Sequence, residues 1–231
     1  GKSAANRSQI LYRTAEMLEG RKTQFVEELM AQGSTKNQAE KEVVTSVDRL
    51  IYYAGWCDKF SQVFSAVNPV ASPHFNFTAP EPMGVVSISC KEESGLLGIV
   101  SAIAPVLAGG NTCVVLASEQ RPLCAITFAE VLNSSDVPGG TVNILTGKRS
   151  ELLEHMASHM DVNGFLYCGE ESAEINEIQV LAVENLKRVT IRPYKDLLSD
   201  EHNTPYYIDD FVEMKPTWHP IEKIGGVGSG Y

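Results

Sequence analysis

Beyond Pro82 the chain alternates between short runs rich in Val and Ile and longer stretches with helical spacing. The short runs are Val85–Ser89, Thr112–Leu116, Thr141–Leu145, Gly164–Tyr167 and Arg188–Ile191. Between them, helical patterns occupy about 95–108, 121–133, 149–158 and 171–183. A strand that returns parallel to its predecessor needs a crossover of a dozen or more residues, which a helix supplies. Strand–helix repetition of this kind therefore predicts an α/β fold: a doubly wound parallel sheet with helices on both faces. The 231 residues, 43% hydrophobic, suffice for such a core and an added arm.

The first part of the chain follows a different period. Ile10, Leu11, Ala15, Leu18, Phe25 and Leu29 fall at helical intervals from Ala5 to Leu29, and Gly33-Ser34 breaks the pattern. A second helix is predicted from about Gln38 to Phe64, with Val43, Val44, Val47, Leu50, Ile51, Ala54, Cys57 and Phe60 on one continuous apolar stripe. Asn68 to Pro82 carries four prolines and alternating Phe75 and Phe77, and reads as an extended, edge-type segment. Residues 193–210 are polar and loop-like, Val212–His219 is a candidate last strand, and Gly225–Tyr231 reads as a flexible tail. The expected organisation is a helical lead-in (1–66), an extended segment (67–83), the α/β unit (84–192), and a loop, strand and tail (193–231).

Charge excludes several functions. The net charge is −10, split as +1 over residues 1–66 and −11 over residues 67–231. Nucleic acids and anionic membranes are bound through basic surface, so neither is an expected partner. No apolar run reaches the roughly 18 to 20 residues that span a bilayer, and no secretory leader pattern is present. The five cysteines, Cys57, Cys90, Cys113, Cys124 and Cys168, form no CxxC pair. An odd count without metal spacing fits reduced, buried thiols and a cytoplasmic protein. His155 and His159 stand four apart, as zinc ligands can. Met156-Ala157-Ser158 between them supplies no carboxylate, and the expectation is a solvated helix face.

Several phrases resemble the aldehyde dehydrogenase superfamily in order and spacing. They are AANRSQILYRTAEMLEGRKTQF, DRLIYYAGWCDKF, and IAPVLAGGNTCVVLASEQRPL followed by VPGGTVNILTG. FVEMKPTWHP resembles the family's C-terminal oligomerisation strand. The combination looks most like the incomplete C-terminal unit of family sixteen. The resemblance implies a Rossmann-like coenzyme domain, N-terminal helices and a bridging β arm in which Trp218 and His219 join an intersubunit sheet. It also implies a catalytic domain after the fifth strand. Here only about twenty residues separate Thr190 from the last strand, so that domain is absent.

The family's chemistry needs a cysteine nucleophile, a carboxylate base and oxyanion donors. The nucleophile belongs to the absent domain. Among the thiols here Cys168, at the end of the fourth strand, is the best candidate, and nearby acidic residues are expected to raise its pKa. The resemblance puts Arg192 at the base position and Glu93 at the oxyanion-holding position. Arginine cannot accept a proton at neutral pH, and a carboxylate repels an oxyanion. No catalytic residue is therefore expected. Coenzyme-binding positions carry over onto Glu119, Gly147 and Gly169, vestigial at best. Leu116 replaces the lysine that grips the ribose, Glu170 replaces the serine that meets the pyrophosphate, and Glu174 replaces a glycine. Glu170 and Glu171 can alternatively serve simply to stabilise the first turn of a surface helix.

The sequence thus predicts a non-catalytic module with no cofactor, or weak NAD binding only. It predicts a homodimer through the bridging arms, with protein partners. The alternatives are an NAD(P)-binding regulatory module, with Glu119 gripping a ribose, and a dehydrogenase half-site completed by another domain.

Overall fold

A computed structural model describes residues 2–221. Helix α1 (Ala4–Gly20) starts at Ser3, whose hydroxyl accepts the Asn6 N–H at 3.2 Å. The predicted single helix over 5–29 is two. At Arg21 the backbone leaves helical geometry (φ −104°, ψ 16°), its N–H turns back to Leu18 O at 3.1 Å, and α2 runs Lys22–Ala31. Helix α3 (Lys36–Trp56) begins with a reciprocal cap between Thr35 and Gln38. The predicted helix to Phe64 is also divided: after a tight turn at Cys57 it resumes as α4 (Lys59–Phe64). Both corrections have one cause. The apolar stripe continues through a local 3₁₀-type turn, so periodicity alone does not register the change of direction.

The α/β unit follows as β3 (Val85–Ser89), α5 (Leu97–Ala108), β4 (Thr112–Leu116), α6 (Leu123–Ser134), β5 (Val142–Leu145), α7 (Arg149–Ser158), β6 (Gly164–Tyr167), α8 (Ser172–Ala182) and β7 (Arg188–Ile191). It comes after two earlier strands, β1 (Ala66–Asn68) and β2 (His74–Pro82). All five strands are parallel, in the order β5-β4-β3-β6-β7. The sheet is a Rossmann-like doubly wound layer. Val86, Ile88, Cys113, Val115 and Leu166 join one core with α1, α3, α5 and α6. Leu116, Phe165 and Tyr167 turn to the other, with Leu153 and Met156 of α7 and Ile178 of α8. This is the period-two alternation of a pleated strand with both faces covered. Every residue of α5 is buried, so it packs as a core helix.

Residues 192–211 take the place of a catalytic domain. This segment is not simply the polar loop expected: it holds a 3₁₀ turn (Asp200–His202) and α9 (Tyr206–Asp209), and it buries Tyr194, Ile208 and Phe211. Arg49 of α3 donates to Leu197 O at 3.1 Å and Ser199 O at 3.4 Å, and the Tyr53 hydroxyl donates to His202 O and Thr204 O. The Tyr194 hydroxyl donates to Ser101 O of α5 at 3.3 Å. The segment is stitched to the N-terminal helices.

Strand β8 (Val212–Pro220) then pairs antiparallel with β2, from Pro82↔Val212 to His74↔Pro220. Strand β1 pairs on the other side of β2, which makes β2 the central strand rather than the edge expected. The third strand comes from this chain, through a three-residue run too short to carry a β pattern. Strand β8 is an edge, as its prolines predict. Phe211 O and Ile221 N both face β2, so the odd-numbered residues bond inward and the even-numbered ones turn their backbone outward. Pro216 and Pro220 thus remove donors from the open edge, leaving those of Met214 and Trp218. The tail predicted at Gly225–Tyr231 lies outside the described residues. Among the described residues no helix is long and apolar enough to cross a membrane.

Candidate functional site

In a doubly wound sheet, ligands bind beyond the carboxyl ends of the strands, where loops lead into helix N-termini. Here that end is reached by Cys90 to Glu92 after β3, Ala117 to Glu119 after β4, the start of α7, and Cys168 to Glu171 after β6. Arg149, the first residue of α7, points across this crevice. Its guanidinium bonds Glu92 at 2.7 Å, Cys90 O at 2.8 Å and Glu174 at 3.3 Å, and lies 5.6 Å from the centre of the Tyr167 ring. The Tyr167 hydroxyl donates to Glu174 as well. The Glu92 carboxylate also accepts from Gln120 N at 3.1 Å and from the Ser118 hydroxyl at 3.1 Å. Charged hydrogen bonds at low exposure are stronger than those in water, so the cluster holds itself rigidly.

Each predicted coenzyme position can be located. Glu119 is exposed, and its carboxylate accepts the Arg149 N–H at 3.0 Å, completing the open N-terminus of α7. Gly147 lies just before α7, where a Cβ would come within 2.9 Å of Leu152 Cδ1. Gly169 follows β6 against the Tyr167 ring, whose Cζ would be 2.6 Å from an added Cβ. Both glycines relieve contacts with neighbouring side chains of this chain. Leu116 is buried in the core. Glu170 is exposed, with Lys91 Nζ 3.9 Å away, and Glu171 precedes α8 without capping it. Glu174, the acidic residue in the first turn of α8, is held by Arg149 and Tyr167.

Arg192, Glu93 and Cys168 do not form a set of nucleophile, base and oxyanion donor, although Arg192 lies close enough to act on Cys168. Arg192, immediately after β7, is buried. Its guanidinium stacks 3.6 Å from the centre of the Tyr207 ring, donates to the Tyr194 hydroxyl at 3.2 Å and pairs with Asp210. Glu93 stands in solvent, 3.5 Å from Lys91 Nζ. Cys168 is fully buried, and its thiol is pushed up to about 12. The direction matches expectation but the cause does not: burial raises it, while Arg192, Arg149 and Lys91 pull the other way. Cys113 and Cys57 are pushed up to about 12, chiefly by burial. His155 and His159 do not share a helix face, because α7 ends at Ser158 and the His159 ring accepts from Asp161 N. No group of three metal-ligating side chains occurs among the described residues.

Three residues that organise this end escaped the sequence reading. Arg149 and Glu92 have no local motif, since their partners are 25 to 59 positions apart in the chain. Glu42 of α3 completes the N-terminus of α5, accepting from Ser94 Oγ at 2.7 Å, Leu96 N at 2.9 Å and Leu97 N at 3.0 Å. A helix N-terminus is an anion site, and here the chain fills it with its own carboxylate.

The parallel five-stranded sheet, with a crevice at its carboxyl end, defines a Rossmann-like α/β domain. The aldehyde dehydrogenase family model matches residues 2–192, and the chain belongs to that family. It is 32% identical over 192 residues to DhaS of Bacillus subtilis (strain 168), covering 82% of this chain and 38% of that protein. Omega-crystallin of Enteroctopus dofleini is 30% identical over 190 residues, covering 81% and 38%. Cytosolic 10-formyltetrahydrofolate dehydrogenase of Pongo abelii is 31% identical over 193 residues, covering 82% and 21%. The chain therefore spans about two-fifths or less of these relatives. Among solved structures, a Bacillus cereus aldehyde dehydrogenase in complex with NAD+ matches with TM-score 0.77 and 25% identity, over 82% of this chain and 38% of that one. PnpE in complex with nicotinamide adenine dinucleotide matches with TM-score 0.79 and 25% identity, over 83% and 39%. The family match stops at Arg192, where the stitched segment begins.

Proposed function

We propose that this chain is a non-catalytic aldehyde-dehydrogenase-like module that serves as a dimerisation and protein-interaction scaffold in the cytoplasm, as part of a longer chain of its family. In this reading residues 1–66 form the helical lead-in, 67–83 the bridging segment, 84–192 the coenzyme-domain-like unit and 193–231 the closing loop and oligomerisation strand. In this reading the chain resembles the incomplete unit of family sixteen.

The observation that carries the reading is the self-filled crevice. Arg149 crosses it, held by Glu92 and Glu174, and Glu119 is spent on the start of α7. These residues do not fit a dinucleotide. A pyrophosphate needs open N–H groups and a positive field, whereas Glu170, Glu171 and Glu174 surround the start of α8. A phosphate brought near such an exposed carboxylate loses roughly 1 kcal/mol, about fivefold in affinity, and each further carboxylate adds to the loss. The buried Arg192 and the inert Cys168 support the absence of turnover. The stitched segment 192–211 supports it too, since it occupies the point in the chain where a catalytic domain would enter.

The scaffold role is supported by the arm. Val67, Phe75, Phe77, Met214 and Trp218 are all exposed on it, and an open edge of β8 invites a partner strand. A two-fold arrangement, each copy giving and receiving the same contacts, satisfies both.

The second reading, an NAD(P)-binding regulatory module, is favoured by the two structural neighbours solved with NAD and by the retained Gly169. A dehydrogenase half-site completed by another domain is a variant of it, requiring that domain to displace residues 192–211. Activity tests the non-catalytic part of the proposal, and NAD binding separates it from the regulatory reading: the purified chain is expected to show no NAD(P)-dependent aldehyde oxidation above background. Turnover that Cys168→Ser abolishes would overturn the proposal.

A further inference from the structure

A cavity of about 640 Å³ lies at the other end of the sheet, beside the first residue of β4 and just before β5. Its walls are Ile10 and Leu11 of α1, Leu107 at the end of α5, Val137 and Pro138, and Pro82 at the root of the arm. Arg7 and Lys2 supply its charge, and no carboxylate lines it. In a chain of net charge −10 this is a local reversal of sign.

Arg7 is held ready. Its Nε donates to Ala108 O at 3.1 Å, at the carboxyl end of α5, and its Nη1 donates to Lys2 O at 2.9 Å. Those two bonds fix the guanidinium plane, and among the described residues Nη2 has no hydrogen-bond partner. Gly110 lies against the same group: its φ of +90° suits glycine, and a Cβ there would come 3.4 Å from Arg7 Nη1. Thr112 and Thr141 add hydroxyl-bearing walls. A cavity of this size, mostly apolar with a few fixed polar groups, has the character of a small-molecule site.

We propose that this cavity binds a monocarboxylate with a compact aliphatic or aromatic body, the carboxylate accepting from Arg7 Nη2 near Lys2 and the body lying on Ile10, Leu11, Leu107 and Val137. The site is independent of the crevice and of whether that crevice takes a coenzyme. A fixed guanidinium suits a carboxylate, because its planar donors need little further ordering. The apolar walls reward the body by removing it from water.

The test is calorimetric titration of the full 231-residue chain with octanoate, and with octanamide as the uncharged match. Octanoate is expected to bind saturably with a Kd of about 1 mM or tighter, and octanamide roughly tenfold or more weaker. Arg7→Gln should weaken octanoate about tenfold and leave octanamide unchanged. Because Arg7 also braces α5, Thr141→Asp provides a second variant: it places a carboxylate in the cavity wall without touching the Arg7 bonds, and should abolish octanoate binding. Equal binding of acid and amide, unaltered binding by either folded variant, or no saturable binding of octanoate at 10 mM (roughly, tenfold above the expected Kd) would each overturn the proposal.

Discussion

The two sheets of this molecule are built on opposite terms. In the five-stranded sheet β3 is covered on both faces and every residue of β6 is buried. In the three-stranded arm Asn76 is the one fully buried residue of β2, and from Met214 to Pro220 every residue of β8 is exposed. The first sheet is satisfied by its own chain: helices cover it, Glu42 and Glu119 complete its helix starts, and Arg149 fills its crevice. The arm is held by backbone pairing and a few polar contacts, such as Lys215 with Glu81 at 2.7 Å and Asn68 with Asn76 at 2.6 Å. Two strands and a three-residue third are marginal in water without a surface to pack on. The contrast teaches that stability resides in the α/β unit, and that the arm's apolar residues contribute when a partner covers them.

Substitution in each sheet sharpens that contrast most. Phe165 in β6 is fully buried, and Phe165→Ala is expected to cost about 3–5 kcal/mol of stability. Phe77 in β2 is 36% exposed, and Phe77→Ala should cost the isolated chain less than about 1 kcal/mol. Chemical denaturation checks both, and comparable losses would break the comparison.

Truncation gives the next effect. Phe211 and Val212 are buried in the α/β core, and Phe211 O accepts from Asn111 Nδ2 at 2.8 Å, so a cut before them would damage the first sheet. Removing residues 213–231 spares both. The shortened chain should keep the α/β unit folded and shift from dimer to monomer in light scattering. An intact chain that is monomeric at high micromolar concentration would contradict the pairing role of the arm.

The smallest effect concerns the stitched segment. Burial lowers the pKa of His202 below its ordinary 6.5, with Arg49 acting in the same direction. As pH falls below about 6.5 the unfolded chain takes up this proton first, so the segment's contribution is present above that pH and declines below it. His202→Gln should flatten the acid side of the stability profile between about pH 6.5 and the lower folded value. An unchanged slope in thermal melts across that range would remove His202 from the account.

Much of the α/β unit was legible in the sequence because each strand–helix pair is a local pattern. The five strands lie within one residue of their predicted bounds. The helix breaks at Arg21 and Cys57 were not legible, since the apolar period runs through them. Strand β1 was missed because three residues carry no period, and β2 was misplaced as an edge for the same reason. At the crevice, substitutions such as Glu170 and Glu174 could be read one by one. The Arg149 cluster could not, because it joins α7 to residues after β3 and on α8 that only the fold brings together. Residues 193–210 looked polar because their buried aromatics, such as Tyr194, are interspersed with charged residues that face water.

Titration with NAD tests the central claim most directly. If Arg149 and its carboxylate partners have replaced the coenzyme, calorimetry with the intact chain should give no saturable heat up to about 1 mM NAD, that is, binding weaker than about −4 kcal/mol. Saturable binding with a micromolar Kd, lost on Glu119→Ala, would contradict it and install the regulatory-module reading.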